Sequence, residues 1–194
     1  MAKKDLLYYI PAGQYGKEGV LSLLEQHPEI KFVSLVGIDL AGNDTDEKIP
    51  MSVFFDDYES FFEGRAVQTD GSSVVLTNIA TLNNARVDMW GDPDVNWFVD
   101  YNYENIDEAT GLPTGTLRIP AFLMHNYRYV DSRSILKRSC DYVRAELLSL
   151  IKEKGIPSMP HINPDEIVDI VFTSATELEF WVKTPSRTVT KKEL

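Results

Sequence analysis

Residues 31–43 read Lys-Phe-Val-Ser-Leu-Val-Gly-Ile-Asp-Leu-Ala-Gly-Asn, an apolar, β-branched run that ends in turn-forming residues. Such a run predicts a buried strand followed by a turn. Residues 14–27 place leucines and a valine among polar residues before Pro28, which predicts a short helix. A second extended run is predicted over residues 49–55. Helix, strand, turn and strand in this order indicate a small α+β unit.

The middle of the chain predicts a mostly antiparallel sheet. Asp56 and Asp57 can cap a brief aromatic helix that Gly64 ends. Short apolar runs separated by Asn-Asn and Gly-Asp-Pro turns come next. We expect these runs to form strands over residues 74–79, 86–90, 95–101 and 116–124.

The C-terminal third begins with a long predicted helix. Asp131 offers a helix N-cap, and the pattern continues to about Lys154, where Gly155 stops it. Cys140 lies on the predicted buried stripe of this helix and is expected to be buried and inert. The rest of that stripe comprises Ile135, Leu136, Val143, Leu147, Leu148 and Ile151. After a proline-rich loop, residues 165–183 are predicted to form one or two strands of a new sheet.

The composition narrows the class of partner. The chain has 194 residues, of which 43% are apolar, and a formal charge of −11 at pH 7. Nucleic acid and membrane are not expected as partners, because anionic surfaces are normally bound by clustered Lys and Arg. The single cysteine and an N-terminus that does not resemble a signal peptide predict a reducing, cytoplasmic location.

Two carboxylates near the C-terminus, Glu177 and Glu179, are candidate metal ligands. In a strand these alternate residues share a face, with Cα atoms about 6.5 to 7 Å apart. Two full charges at that distance repel by roughly 2 kcal/mol at an effective dielectric near 20, a cost that bound cations remove. Carboxylates without neighbouring His or Cys favour Mg²⁺ or Mn²⁺. On spacing alone, a solvated strand face is the commoner explanation of such a pair.

A second motif, Asp70-Gly71-Ser72-Ser73, also allows two interpretations. It can be a simple turn, in which Gly71 takes a positive φ and Asp70 makes an Asx-turn hydrogen bond. Alternatively, Asp70 is a fixed carboxylate that binds an ammonium ion and takes up its proton as a general base. In that interpretation Ser72 and Ser73 donate to a polar substrate.

The two motifs, with the sequence around them, resemble the glutamine synthetase family. Five segments match the family pattern in order, which is more specific than either motif alone: residues 31–43 with 49–50, residues 63–64 with 69–73, residues 87–89, residues 131–138 and residues 176–180. The resemblance implies an α+β fold with a β-grasp-like N-terminal domain and a mixed or antiparallel sheet over residues 1–127. Residues 128–194 would begin the catalytic domain with a helix and its first strand or strands.

The activity that the resemblance implies is that of a ligase with ATP as co-substrate. ATP phosphorylates the γ-carboxylate of glutamate, and ammonia then displaces phosphate to give glutamine. Two divalent cations, Mg²⁺ or Mn²⁺, neutralise the phosphates; Glu177 would hold the one nearer ATP and Glu179 the one nearer glutamate. Asp70 would bind and deprotonate ammonium, with Ser72 and Ser73 at the substrate. The family forms homo-oligomeric rings, in which Asp70 would complete a neighbouring subunit's site.

Part of the family pattern lies beyond Leu194. The remaining metal ligands and the ATP-binding motif would follow there, so the 194-residue chain alone is expected to be inactive. Two alternatives stay open. One is a related γ-glutamyl ligase with an amine acceptor, because the segment after Ser73 departs from the family pattern. The other is a non-catalytic interaction module derived from the family.

Overall fold

The computed structural model describes residues 5–74, 85–175, 177 and 179. Contacts between Cα atoms divide the chain into two units, Met1–Asp141 and Tyr142–Leu194. The domain boundary expected between residues 127 and 128 stays a prediction.

The described residues form eight strands, four α-helices and two 3-10 turns. The α-helices are α1 (Lys17–Glu25), α2 (Met51–Asp56), α3 (Tyr58–Phe62) and α4 (Ser132–Lys154). The strands are β1 (Tyr9–Ile10), β2 (Ile30–Ile38), β3 (Asp44–Pro50), β4 (Val67–Asp70), β5 (Arg86–Gly91), β6 (Trp97–Ile106), β7 (Pro113–His125) and β8 (Arg128–Tyr129). The 3-10 turns are Gly71–Ser73 and Pro164–Glu166.

Strand β7 organises the sheet of the first unit. Its first part lies between β6 and β2, within the strand order β1-β6-β7-β2-β3, and its last residues pair with β5 and β8. The pairing of β7 with β2 is parallel, and the other described pairs are antiparallel. The expected α+β class with a mixed sheet is therefore confirmed, whereas the β-grasp arrangement stays a prediction.

The core lies where β2, β5 and β7 meet the short helices. Val33 of β2 and Leu117 and Ile119 of β7 are fully buried. An aromatic group from α2 and α3 covers them, in which the Phe54 and Phe61 rings lie 5.0 Å apart, edge to face. Gly64 ends this helical segment with φ of +68°, as the sequence predicted. The apolar pattern therefore places the helices on the sheet.

The prediction of an extended run over residues 49–55 is wrong after Pro50. Residues Met51–Asp56 form α2 instead, with Met51 and Phe54 buried. Proline has no backbone N–H to donate and a fixed φ, here −57°, which suits the residue that enters a helix. Phe54 follows Met51 at helical spacing, so one helix face covers the core.

Helix α4 begins where the sequence predicted, but its apolar stripe is not buried. Asp131 caps its first turn, as expected. Within α4 only Ser134 is buried; Leu136 is 65% exposed and Val143 42%. Cys140, expected to be buried, is half-buried. Periodicity predicts which residues share a face, whereas burial needs a second element to cover that face.

No helix in the described part of the chain has the length and apolar content needed to cross a membrane.

The predicted strands over residues 165–183 do not appear in the described part of that segment. Pro164–Glu166 is a 3-10 turn capped by Asn163, and residues 167–175, 177 and 179 have no regular structure. A strand needs a neighbour for its backbone hydrogen bonds, and the described residues of the second unit contain no strand. The strand predicted over residues 74–79 lies outside the described residues except for Val74.

Tyr101 makes the stability of the first unit sensitive to alkaline pH. Its side chain is buried, and its hydroxyl donates to the Leu7 carbonyl over 3.0 Å. Burial, and next the Glu29 carboxylate, raise the pKa of this phenol well above its ordinary value of 10.0. The neutral phenol is therefore favoured by folding, and its contribution is lost as the pH rises above 10.

We expect Tyr101→Phe to lower the free energy of unfolding by about 1 kcal/mol at pH 7, through loss of one hydrogen bond. The variant should also lose less stability than the unchanged protein between pH 9 and about pH 11. Urea unfolding at several pH values measures both effects. Tyr127→Phe is the control, because that side chain is 92% exposed. An equal alkaline loss in all three proteins would contradict the prediction.

Candidate functional site

The Asp70 loop, defined as residues 70–73, lies at the end of an antiparallel strand pair. Asp70 is the last residue of β4 and is opposite Arg86 of β5. The backbone N–H of Gly71 donates to the Ala85 carbonyl over 2.7 Å, which extends the pairing by one bond. The sheet therefore fixes the position from which the loop leaves.

The loop itself is a capped 3-10 turn. Oδ1 of Asp70 accepts the backbone N–H of Ser72 at 2.7 Å, which is the Asx-turn bond that the sequence predicted. The expected positive φ at Gly71 is wrong, because this residue is not among the glycines with positive φ. A 3-10 turn uses right-handed backbone angles, so the glycine does not need the left-handed region.

The far end of the loop is anchored from a distant strand. Thr45 of β3 donates its hydroxyl to the Ser73 carbonyl over 3.0 Å. The next residue, Val74, is only 4% exposed and joins the core. The side chains of Asp70, Ser72 and Ser73 remain exposed between these anchors. The structure thus brings the three predicted residues together on a loop held at both ends.

The Asp70 carboxylate is ionised and electrostatically available. The Ser72 hydroxyl, and next the Ser72 backbone N–H, lower the pKa of this carboxyl below its ordinary value of 3.8. Arg86, its neighbour across the strands, is paired with Asp88 over 2.8 Å. Among the described residues no cation lies within ion-pair distance of Asp70. An exposed, fixed negative charge of this kind can bind a small cation.

A lowered pKa separates the two roles that were expected of Asp70. It favours binding of a cation, because the carboxylate stays charged over the whole neutral range. It disfavours uptake of a proton, because a general base works best with a pKa near the working pH. The lowered pKa therefore favours cation binding by Asp70 over proton transfer to it.

Glu177 and Glu179 belong to the second unit, and neither of these two residues lies in a helix or a strand. Both are exposed. The described residues contain no group of three or more His, Cys, Asp or Glu side chains that could hold a metal ion. Two glutamates can supply at most part of an oxygen coordination sphere. The residues described do not form a complete Mg²⁺ or Mn²⁺ site, and both the metal and ATP stay predictions.

Two contacts that shape the Asp70 loop were not predicted from the sequence. Thr45, whose hydroxyl donates to the Ser73 carbonyl, lies 28 residues before Ser73 in the sequence. The ion pair between Arg86 and Asp88, which leaves Asp70 without a cationic partner among the described residues, lies on strand β5. Alternation within residues 86–90 places Arg86 and Asp88 on one face of β5, which is the only local signal for that pair. No local pattern marks Thr45.

Comparison with solved structures finds only distant likenesses. No model of a protein family and no curated protein sequence matches the chain. A solved structure that resembles it is a glutamine synthetase of Plasmodium falciparum, with a TM-score of 0.46 and 14% sequence identity. The likeness covers 69% of this chain and 24% of the Plasmodium protein. The chain therefore spans about a quarter of the length of that enzyme.

Proposed function

We propose that this chain is the N-terminal part of an ATP-dependent glutamate–ammonia ligase and that its Asp70 loop binds the ammonium substrate. The observation that carries the proposal is the exposed Asp70 carboxylate, ionised, held by Ser72 and without a cationic partner among the described residues. The five ordered sequence matches around it supply the reaction class.

The chemistry of the loop suits a small cation that carries N–H donors. An ammonium ion offers N–H donors and one positive charge, and a carboxylate with nearby hydroxyls provides charge and acceptors. Ser72 orients the Asp70 carboxylate, while the Ser73 side chain is an exposed hydroxyl beside it. In the proposed role Asp70 concentrates ammonium and positions it before the proton leaves.

The complete reaction needs groups that the described residues do not supply. Glu177 and Glu179 would contribute carboxylates to the divalent cations that neutralise the phosphates of ATP. Two carboxylates alone do not complete a metal site. The 194-residue protein is expected to form no glutamine alone, and the site would be completed by further chain and by a neighbouring subunit.

We expect Asp70→Asn to raise the KM for ammonium about tenfold or more, because the amide keeps the shape of the side chain but removes its charge. The KM for glutamate should change little. The measurement is glutamine formation by the protein encoded by the complete reading frame, at varied ammonium concentration. Asp56→Asn is the matched control, since Asp56 is an exposed carboxylate outside the loop.

Two results would count against the proposal. An unchanged ammonium KM in Asp70→Asn would remove the assigned role of the loop. A reading frame that stops at Leu194, together with co-elution of the protein with a full-length glutamine synthetase in size-exclusion chromatography, would favour the non-catalytic module. Competition between methylamine and ammonium in the active enzyme separates an amine acceptor from ammonia.

A further inference from the structure

A cavity of about 560 Å³ lies in the first unit, away from the Asp70 loop. Its walls come from the loop after β5, the neighbouring strands β7 and β8, and the first turns of α4. The lining residues are Asp92, Pro93, Asp94, Val95, Phe122, Tyr129, Arg133, Ser134, Lys137 and Arg138. This volume lies within the range of about 300 to 1,000 Å³ that is usual for small-molecule sites.

One wall of the cavity is rigid. The buried Asp92 accepts Nη2 of Arg133 at 2.6 Å, and its backbone carbonyl accepts the indole N–H of Trp97 at 2.9 Å. The Arg133 guanidinium lies over the Phe122 ring, 4.9 Å from its centre. The Arg133 guanidinium is therefore paired with a carboxylate and an aromatic face, although its buried Nη1 has no hydrogen-bond partner among the described residues.

Two further cationic side chains, Lys137 and Arg138, line the cavity, and neither is paired with a buried carboxylate in the described part of the chain. Lys137 has a loose pair with Asp141, 3.7 Å apart with both side chains mostly exposed. For Arg138, the described residues contain no ion pair. The lining contains one further carboxylate, Asp94, which has no ion pair among the described residues either. The lining thus holds three cations and two carboxylates, a net charge of +1, although the whole chain has a formal charge of −11.

The remaining lining of the cavity is apolar and partly aromatic. The rings of Phe122 and Tyr129 lie 5.4 Å apart, and Tyr129 is 43% exposed. Val95 and Pro93 complete this side. The Arg133 guanidinium already covers one face of the Phe122 ring. The exposed Tyr129 ring is therefore the aromatic surface on which a flat apolar group can stack.

We propose that this cavity binds a small organic anion that combines a planar apolar group with a carboxylate or a phosphate. The planar group packs on Tyr129 and Val95, and the anionic group lies between Lys137 and Arg138. The site is separate from the Asp70 loop and does not depend on the proposed ligase activity.

Titration calorimetry with 2-naphthoate and 1-naphthyl phosphate tests this site in the 194-residue protein. The two probes distinguish a carboxylate from a phosphate ligand. 2-Naphthalenemethanol tests the need for charge, and inorganic phosphate tests the need for the ring. We expect at least one naphthyl anion to bind about tenfold or more tightly than either control compound.

Variants locate the binding in this cavity. The double variant Lys137→Gln/Arg138→Gln should weaken the naphthyl anion about tenfold, and Tyr129→Ala should weaken it severalfold. Lys152→Gln, an exposed lysine later on the same helix, is the control and should bind as the unchanged protein does. Far-ultraviolet circular dichroism checks that each variant is folded.

The proposal is overturned if neither naphthyl anion binds more tightly than the neutral alcohol. It is also overturned if the folded double variant binds the anion as tightly as Lys152→Gln does. The outcome is independent of the ammonium KM of Asp70→Asn, so either proposal can fail alone.

Discussion

Gly64→Ala is expected to lower the free energy of unfolding by about 3 kcal/mol. Gly64 is buried and has φ of +68°, a backbone region that costs alanine about 1 to 2 kcal/mol. A Cβ at this position would also overlap the indole ring of Trp90. Overpacking of this kind costs a further 1 to 3 kcal/mol, because the ring or the backbone must move.

The matched control for this effect is Gly13→Ala. Gly13 has the same φ of +68° but lies on the surface, with no atom within 4 Å of an added Cβ. It should therefore show the backbone cost alone, about 1 kcal/mol. Urea unfolding followed by tryptophan fluorescence measures both variants. Equal losses in the two variants would mean that Trp90 moves aside without cost.

Asp131→Ala is expected to cost about 3 kcal/mol, through three hydrogen bonds made by one buried carboxylate. Oδ1 accepts the Ser134 backbone N–H at 2.7 Å, which caps α4. Oδ2 accepts the Ser134 hydroxyl at 2.8 Å and the backbone N–H of Leu123 at 3.1 Å. Loss of the cap costs about 1 kcal/mol, and each buried N–H left without a partner adds 1 kcal/mol or more.

Asp57→Ala provides the comparison for Asp131. Asp57 precedes α3 and accepts the Ser60 hydroxyl at 2.7 Å, but its side chain is exposed. Water replaces that acceptor, so the loss should stay below about 1 kcal/mol. Thermal unfolding of the three proteins gives the two differences. A loss at Asp131 no larger than that at Asp57 would show that the strand end tolerates the missing acceptor.

Much of the first unit could be predicted from local patterns. The strand in residues 31–40 and helices α1, α3 and α4 follow from apolar periodicity and from caps, which act over a few residues. The prediction for residues 51–55 was wrong because a short apolar run has no period long enough to separate strand from helix. The strand expected after residue 165 and the covered face of α4 depend on neighbours that periodicity does not specify.

The candidate site, too, could be predicted only in part from local sequence. The Asx turn at Asp70 is a local property of Asp-Gly-Ser and was predicted, apart from the conformation of Gly71. The Thr45 anchor and the partner of Arg86 depend on strand register, which becomes visible only in three dimensions. Lys137 and Arg138 of the cavity lie in the predicted helix, and no sequence pattern indicated that they line a site.

The position of β7 in the sheet has a consequence for synthesis of the protein. Strand β2 cannot pair with its parallel neighbour β7 until β7 has been synthesised, because Val33 pairs with Leu117 more than eighty residues later in the sequence. When only the first hundred residues have left the ribosome, β7 has not yet been released. One edge of the apolar strand β2 is then unpaired, and β5 and β6 lack the strand with which both pair. Such long-range closure is slow relative to helix formation. Ribosome-bound intermediates of this length are where we expect chaperone engagement and aggregation to be greatest.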